Sequence, residues 1–440
     1  MFQEQIKEFN ESLLGLRDFV NSISPILAEK EKEHNEKVKP LVMAASFKKL
    51  YKESYASLDE ETKAKFEELQ AKVQQAILRT FKEPIEVEFD KADKKNHSNY
   101  PRLIIHNLSK DSKTYQDFLK TNNIVLHIEL LYKNSLISLL STVEWFYSQI
   151  LHYFYSKHPE SAGIGKKTLT LADLKQYDTI ADAEKHLIEL RIEEILRGNF
   201  EKWIEALKND LSLSLSYLDS SMDALVEIYQ RRNLVVHNGS TVNSIYLSKV
   251  KPEFRKNVLL NQKITVDKIY LEEAICKLQV AFMLVASELW KKLDASDQTR
   301  GEVISDIGFQ NLLSQRWEVA EGLYQFLVFD TKSDPALKVV SQLNLWLCKK
   351  RLGKFKQIEK EVRSANYSDK KERFQLGLYS LREEKDLFFD LLPKALERQE
   401  LTIEEFIDFP IFQEMRECEE YQLFRQESKY LKENVIPSTQ

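Results

Sequence analysis

Glycine and proline are scarce in this chain, with ten of each in 440 residues, under half their usual share of roughly 7% and 5%. Sandwiches, barrels and propellers turn every 8 to 12 residues or so, and their turns draw on these two residues. The shortage excludes such architectures and predicts an all-α fold of long helices. Charged residues at 30% and aromatic residues at 11% supply a solvated surface and a large core, so extended disorder is excluded as well. The length suggests two or three domains.

A formal charge of −5 argues against a general nucleic-acid coat or a polybasic membrane anchor, because neutralising many phosphates takes an excess of Lys and Arg. It leaves room for a local phosphate site. Cys276, Cys348 and Cys418 lie far apart with no CxxC spacing, and they read as small buried hydrophobes of a reducing, cytoplasmic compartment. The opening MFQEQIKEFNESLLGL lacks a basic region and a small-residue cleavage site, so no secretory signal is expected. The most apolar stretch, residues 124–157, is interrupted by Glu129, Lys133 and Glu144. That is too polar for a span of about 20 apolar residues, and no membrane partner is expected.

Three segments follow from texture. Residues 1–120 read as a helical region: a helix near 1–38 bent at Pro25, with a charged and solvated EKEHNEKVK end, and a second helix capped by Ser57 or Asp59. Phe66, Leu69, Val73, Ile77 and Phe81 stand at helical spacing on that second helix, which Pro84 ends. A small β-hairpin is expected near 85–110, where IEVEF and RLIIHNL flank KADKKNHSNYP. Residues 121–295 read as a helical bundle, opening with a helix of more than about 30 residues that is apolar on most faces. Further helices are expected near 180–197, 199–210 and 218–238, and a last one begins at Thr265 or Asp267. In residues 296–440, segments of 12 to 18 residues alternate with breaks at Gly308, the SDP before Ala336, Gly353, ANYSDK, Pro393 and Pro410. This texture resembles a tetratricopeptide-like array of helical hairpins, without its strict period, and such stacks form grooves suited to a protein partner.

The helix near 218–238 carries the chemistry. At 100° per residue, Leu218, Met222, Leu225, Tyr229 and Val236 define an expected buried stripe about 60° wide. Asp219, Asp223, Glu227 and Arg231 follow at i, i+4 on another face, where they read as a solvated acid-before-base ladder. Arg232 lies on the apolar stripe itself, four residues before Val236, and a guanidinium there costs several kcal/mol unless a partner compensates. Asn233 and His237 stand on its shoulder, so Arg232, Asn233 and His237 occupy an arc of about 140° just before Gly239, the expected helix end. Guanidinium pairs with phosphate, imidazole moves a proton near neutral pH, and an amide orients either one, a set suited to phosphodiester chemistry. The other seven histidines are scattered, so no metal and no cofactor is expected. His106, His127 and His152 read as ordinary core or surface residues, and Trp145, Phe146 and Tyr147 as core or interface. In the long helix, Ile137, Leu140, Glu144 and Leu151 share one stripe, which makes Glu144 a second charge on an apolar face: it either pairs with Arg232 or lines the cleft, or it simply reaches solvent or a backbone donor.

The string RRNLVVHN, with Arg232 and His237 five apart and Asn233 directly after the arginine, resembles the RxxxxH signature of the HEPN superfamily. EIYQRRNLVVHNG and the upstream VEWFYSQIL look like one of its prokaryotic defence-associated branches, over roughly residues 121–295. The resemblance implies a helical bundle that dimerises to form an RNA-cleaving cleft, acting without metal to leave a cyclic phosphate and a 5′-hydroxyl. It would make His237 a general acid or base, Arg232 the group that stabilises the phosphorane, Asn233 a positioning group and Arg231 a contact to a neighbouring phosphate. It also implies a toxin or antiphage effector acting on tRNA or other transcripts. The competing expectation is a non-catalytic dimer that binds RNA or protein as a scaffold, with a partner on the C-terminal array.

Overall fold

The computed structural model describes residues 2–89, 103–122, 127–255 and 258–427. The fold is all-α, with twenty α-helices and one two-stranded sheet among the described residues. The chain divides into two compact units, residues 18–135 and residues 1–17 with 136–440. These boundaries differ from breaks at 120 and 295: the segment with the chemistry-bearing helix and the C-terminal helices fall within one unit. None of the described helices is long and apolar enough to cross a membrane.

Helix α1 runs Phe2–Ser54, well past the expected end near residue 38. Pro25 and Pro40 both lie inside it. Each proline removes one intrahelical hydrogen bond at a cost of about 3 kcal/mol, and the Ala, Glu and Lys between them are strong helix formers that favour continuation. Helix α2, Glu60–Phe81, starts where Asp59 accepts a hydrogen bond from the Thr62 amide at 2.8 Å and ends at Lys82 in the left-handed conformation. Strands β1, Val87–Phe89, and β2, Leu103–Ile105, pair antiparallel with Glu88 opposite Ile104. The turn of the expected hairpin lies outside the described residues. Leu41, Ala45, Ile77, Phe81, Val87, Leu103 and Phe118 form the core of the 18–135 unit. Phe118 comes from helix α3, Lys113–Asn122. Leu69 lies at core spacing but is exposed.

In the larger unit, helix α4, His127–Lys157, supplies Phe146 and Tyr147, both fully buried. After the short helix α5, Leu171–Leu174, come α6, Ile180–Leu196, and α7, Phe200–Asn209. Trp203 of α7 is the hub of this region. It stacks on Tyr147 at 4.8 Å and accepts the Tyr147 hydroxyl at its carbonyl at 2.8 Å. Burying one such aromatic side chain contributes about 1.5–3 kcal/mol. Helix α8, Met222–His237, sets Tyr229 edge-on to Trp203 at 5.8 Å, which fixes the α8 face that bears Arg232. The short helices α9, Ser244–Lys249, and α10, Pro252–Arg255, lead to α11, Lys268–Leu293. Asp267 caps α11 by accepting from the Tyr270 amide at 2.7 Å. The first turns of α1 join the same core: Phe9 stacks on Phe146 at 4.1 Å, and Asn10 accepts from Gln279 of α11 at 2.7 Å.

The C-terminal helices pack on their neighbours in sequence, beginning with α12, Thr299–Leu313, α13, Trp317–Phe329, and α14, Pro335–Arg351. Two expected breaks are absent. Gly308 lies inside α12, where a Cβ would stand 2.9 Å from the Tyr324 ring, so this glycine permits close helix packing and does not interrupt the helix. Pro393 lies inside the helix Lys385–Glu397. The three cysteines are free; Cys348 and Cys418 are buried and Cys276 is half-buried.

Candidate functional site

Helix α8 ends at His237 because the chain then turns left-handed, with Gly239 at φ +53° and Ser240 at φ +62°. Glycine takes that conformation without the Cβ clash that other residues meet. The Asn238 and Ser240 amides both donate to the Leu234 carbonyl, at 3.0 and 2.9 Å, closing the last turn. Behind it, Leu234, Val242, Tyr246, Val250 and Ile264 form a small apolar cluster. Val242 donates to the Gln262 carbonyl at 2.8 Å and so ties the following loop beneath the helix end.

The opposite side of the same helix end opens onto a cleft of about 590 Å³. Arg232, Asn233 and His237 all line it, and so does Glu144 from α4. Arg232 donates from Nη2 to Glu144 Oε1, so the two charges on apolar stripes meet each other. The Arg232 guanidinium also lies over the Tyr229 ring, 5.1 Å from its centroid, and Tyr229 in turn donates to the Gly198 carbonyl at 3.3 Å. Arg232 and Asn233 are half-buried and His237 is exposed, so the imidazole meets solvent while the other two are partly covered. Burial lifts the Glu144 carboxyl above its ordinary value, and the guanidinium pulls against that rise. Burial likewise raises the Tyr229 phenol.

Arg231 is elsewhere. The acid-base ladder is solvated only in its first half, where Asp219 is exposed and Asp223 pairs with Lys251 at 2.7 Å. Glu227 and Arg231 are 4% and 6% exposed. Arg231 donates to Glu227 at 2.7 Å and to the Thr265 carbonyl at 2.7 Å, and its guanidinium lies 3.9 Å from the Tyr270 ring centroid. Tyr246 and Tyr270 each donate to Glu227 at 2.8 Å. Burial works against the Arg231 charge, but the phenols and carboxylate around it prevail and raise its pKa above the ordinary value. Arg231 does not line the cleft, which removes it as a contact to a neighbouring phosphate. The apolar stripe also shifts: Val236 is 44% exposed, while Ala224, Leu225 and Ile228 are buried.

Polar residues from other elements also line the cleft. Arg197 and Asn199 come from the α6–α7 junction and Asn243 from the N-cap of α9. Nothing in their local sequence marks them, since the fold alone brings them to α8. Gln230, 6% exposed, also lines the cleft, and sequence pattern does not single it out because an amide beside a buried stripe is commonplace. Among the described residues, no group of three or more His, Cys, Asp or Glu side chains is placed to hold a metal ion. Arg197, paired with the exposed Glu193 at 2.5 Å, and Arg232, paired with Glu144, bring two guanidinium groups to the cleft wall, a donor set compatible with a phosphodiester. No protein family, no curated protein and no solved structure matches this chain.

Proposed function

We propose that the chain is a metal-independent endoribonuclease of HEPN type that acts as a homodimer. The observation that carries the reading is the joint placement of Arg232, Asn233, His237 and Glu144 on one cleft at the end of α8. In the proposed reaction the substrate 2′-hydroxyl gives up its proton and attacks the adjacent phosphorus. The P–O5′ bond breaks, the 5′-oxygen takes a proton, and the products are a 2′,3′-cyclic phosphate and a 5′-hydroxyl. His237, exposed at the helix terminus, transfers a proton in this exchange. Arg232 exchanges its Glu144 partner for a non-bridging oxygen and stabilises the charge that builds on the phosphorane. Asn233 orients the phosphate or the imidazole. By the same resemblance, the biological role is a toxin or antiphage effector directed at tRNA or another transcript, with a protein regulator on the C-terminal helices.

The test is incubation of the full chain with total RNA in EDTA, beside Arg232→Ala and His237→Ala. The wild type is expected to leave cyclic-phosphate ends, and each variant to lose on the order of 10²-fold or more in rate. Cleavage that survives both substitutions, or that is abolished by the chelator alone, would sink the proposal.

A further inference from the structure

Gln230 presents an unusual combination: it is 6% exposed and lines the cleft, yet its amide makes no hydrogen bond to any described residue. Its amide atoms are not sealed from solvent, so they are open to a ligand in the cleft. Asn233, half-buried on the same wall, likewise has no hydrogen bond to a described residue, whereas the other three cleft amides are engaged. Asn199 accepts from the Lys202 amide at 3.0 Å, Asn243 accepts from the Tyr246 amide at 2.9 Å, and Asn238 donates to the Thr241 carbonyl. Those three serve the protein's own backbone. Gln230 has no hydrogen-bond partner among the described residues and lines the cleft.

A primary amide holds one acceptor and two donors in a plane. Its natural complement is a planar edge with an adjacent donor and acceptor, as a nucleobase offers. At 100° per residue, Gln230, His237 and Asn233 fall within about 60° of arc, while Arg232 stands roughly 160° from Gln230 with Tyr229 between them. The α8 wall of the cleft therefore has a cation at one edge and an unpartnered amide at the other. A ligand that uses both carries an anionic group and a base, which describes a nucleotide better than free phosphate or a carboxylate.

We propose that Gln230 reads the base of the nucleotide bound in this cleft and selects adenine, whose N6 donor and N7 acceptor a glutamine amide pairs with in bidentate fashion. The inference rests on the reading of the cleft as an RNA site and adds the determinant of where the RNA is cut. A site built to hydrogen-bond a particular edge rejects ligands lacking it far more strongly than an apolar pocket does. Gln230 is thus a specificity residue, separate from the groups assigned to the chemistry.

The experiment measures equilibrium binding of adenosine, cytidine, guanosine and uridine 3′-monophosphates to the full chain, without relying on cleavage. The wild type is expected to prefer the adenine nucleotide by about tenfold, toward the lower end of the discrimination that a bidentate pair between a side chain and a base gives. Gln230→Met, which conserves volume and removes the hydrogen bonds, should bring the four within about threefold of one another. Gln230→Glu, which keeps the shape and only accepts, should lose the adenine preference, because a carboxylate cannot donate to the adenine acceptor. Arg232→Ala should weaken all four alike. An unchanged ranking in Gln230→Met, or equal binding of the four by the wild type, overturns the assignment. If RNA cleavage fails in its own assay while the base ranking and its loss in Gln230→Met hold, the ribonuclease reading falls and the assignment of Gln230 stands. If no nucleotide binds, both fall.

Discussion

Arg231 and Arg232 are adjacent in sequence and sit in opposite circumstances. Arg231 is enclosed by Glu227, Tyr270 and the Thr265 carbonyl, so that its charge is compensated on every side the structure describes. Arg232 has the carboxylate of a half-buried Glu144 and the face of Tyr229, and it opens onto the cleft. A saturated guanidinium fixes architecture: it joins α8 to the segment before α11 and, through Glu227 and Tyr246, to α9. An unsaturated one retains capacity for a ligand. The difference lies in how many partners the fold supplies, since both residues are charged and both lie on one helix.

The largest effect that would break this comparison falls on the enclosed pair. Glu227→Ala leaves the Arg231 charge buried beside two phenols that have lost their acceptor. Breaking a buried ion pair from one side costs about 3–5 kcal/mol, and chemical denaturation should show a loss of that order. A loss under about 1 kcal/mol, the range of solvated pairs, would mean that water reaches Arg231 and that the enclosure is not real.

A smaller stability effect is expected at the open pair. Arg232→Ala removes an ion pair whose Glu144 side chain is 34% exposed, and such pairs contribute about 0–1 kcal/mol after screening. The variant should denature within about 1 kcal/mol of the wild type while RNA cleavage collapses. Comparable destabilisation from Glu227→Ala and Arg232→Ala would erase the distinction between the two arginines.

Much of the cleft is legible in the sequence because it contradicts local pattern. Arg232 and Glu144 each place a charge where helical periodicity asks for an aliphatic residue, and the structure brings those two anomalies into contact. Long helices are legible from the shortage of glycine and proline. The ladder from Asp219 to Arg231 shows where pattern fails. Acid and base at i, i+4 look the same whether the face is wet or dry, and what buries Glu227 is a pair of tyrosines, 19 and 43 residues downstream. Their arrival depends on the tertiary path of the 238–267 segment, which no window of α8 encodes. Gln230 is invisible for the complementary reason: its amide has no hydrogen-bond partner among the described residues, and that can be counted only once the neighbours are in place. Residue pattern also overvalues proline, since α1 passes through Pro25 and Pro40 on the strength of its flanking helix formers.

The smallest effect separates the pairs by pH. Burial lifts the Glu144 carboxyl above its ordinary value of 4.5 despite the guanidinium beside it. The folded protein therefore holds this proton more tightly than the unfolded chain does. That contribution to stability is complete below the ordinary value and is lost as pH rises through the raised folded value. The amide of a Glu144→Gln variant does not titrate, so wild type and variant should denature alike in acid, and the variant should gain on the wild type as pH rises toward neutrality. The gain is small because solvent screens a partly exposed group. Denaturation midpoints of both proteins across this range measure it. A gap of the opposite sign would mean that attraction to Arg232 outweighs burial and that the open arginine is held as firmly as the enclosed one. With the expected sign, ionised Glu144 is a partner the fold tolerates at a cost, and a phosphate arriving at Arg232 competes against a carboxylate that burial already disfavours.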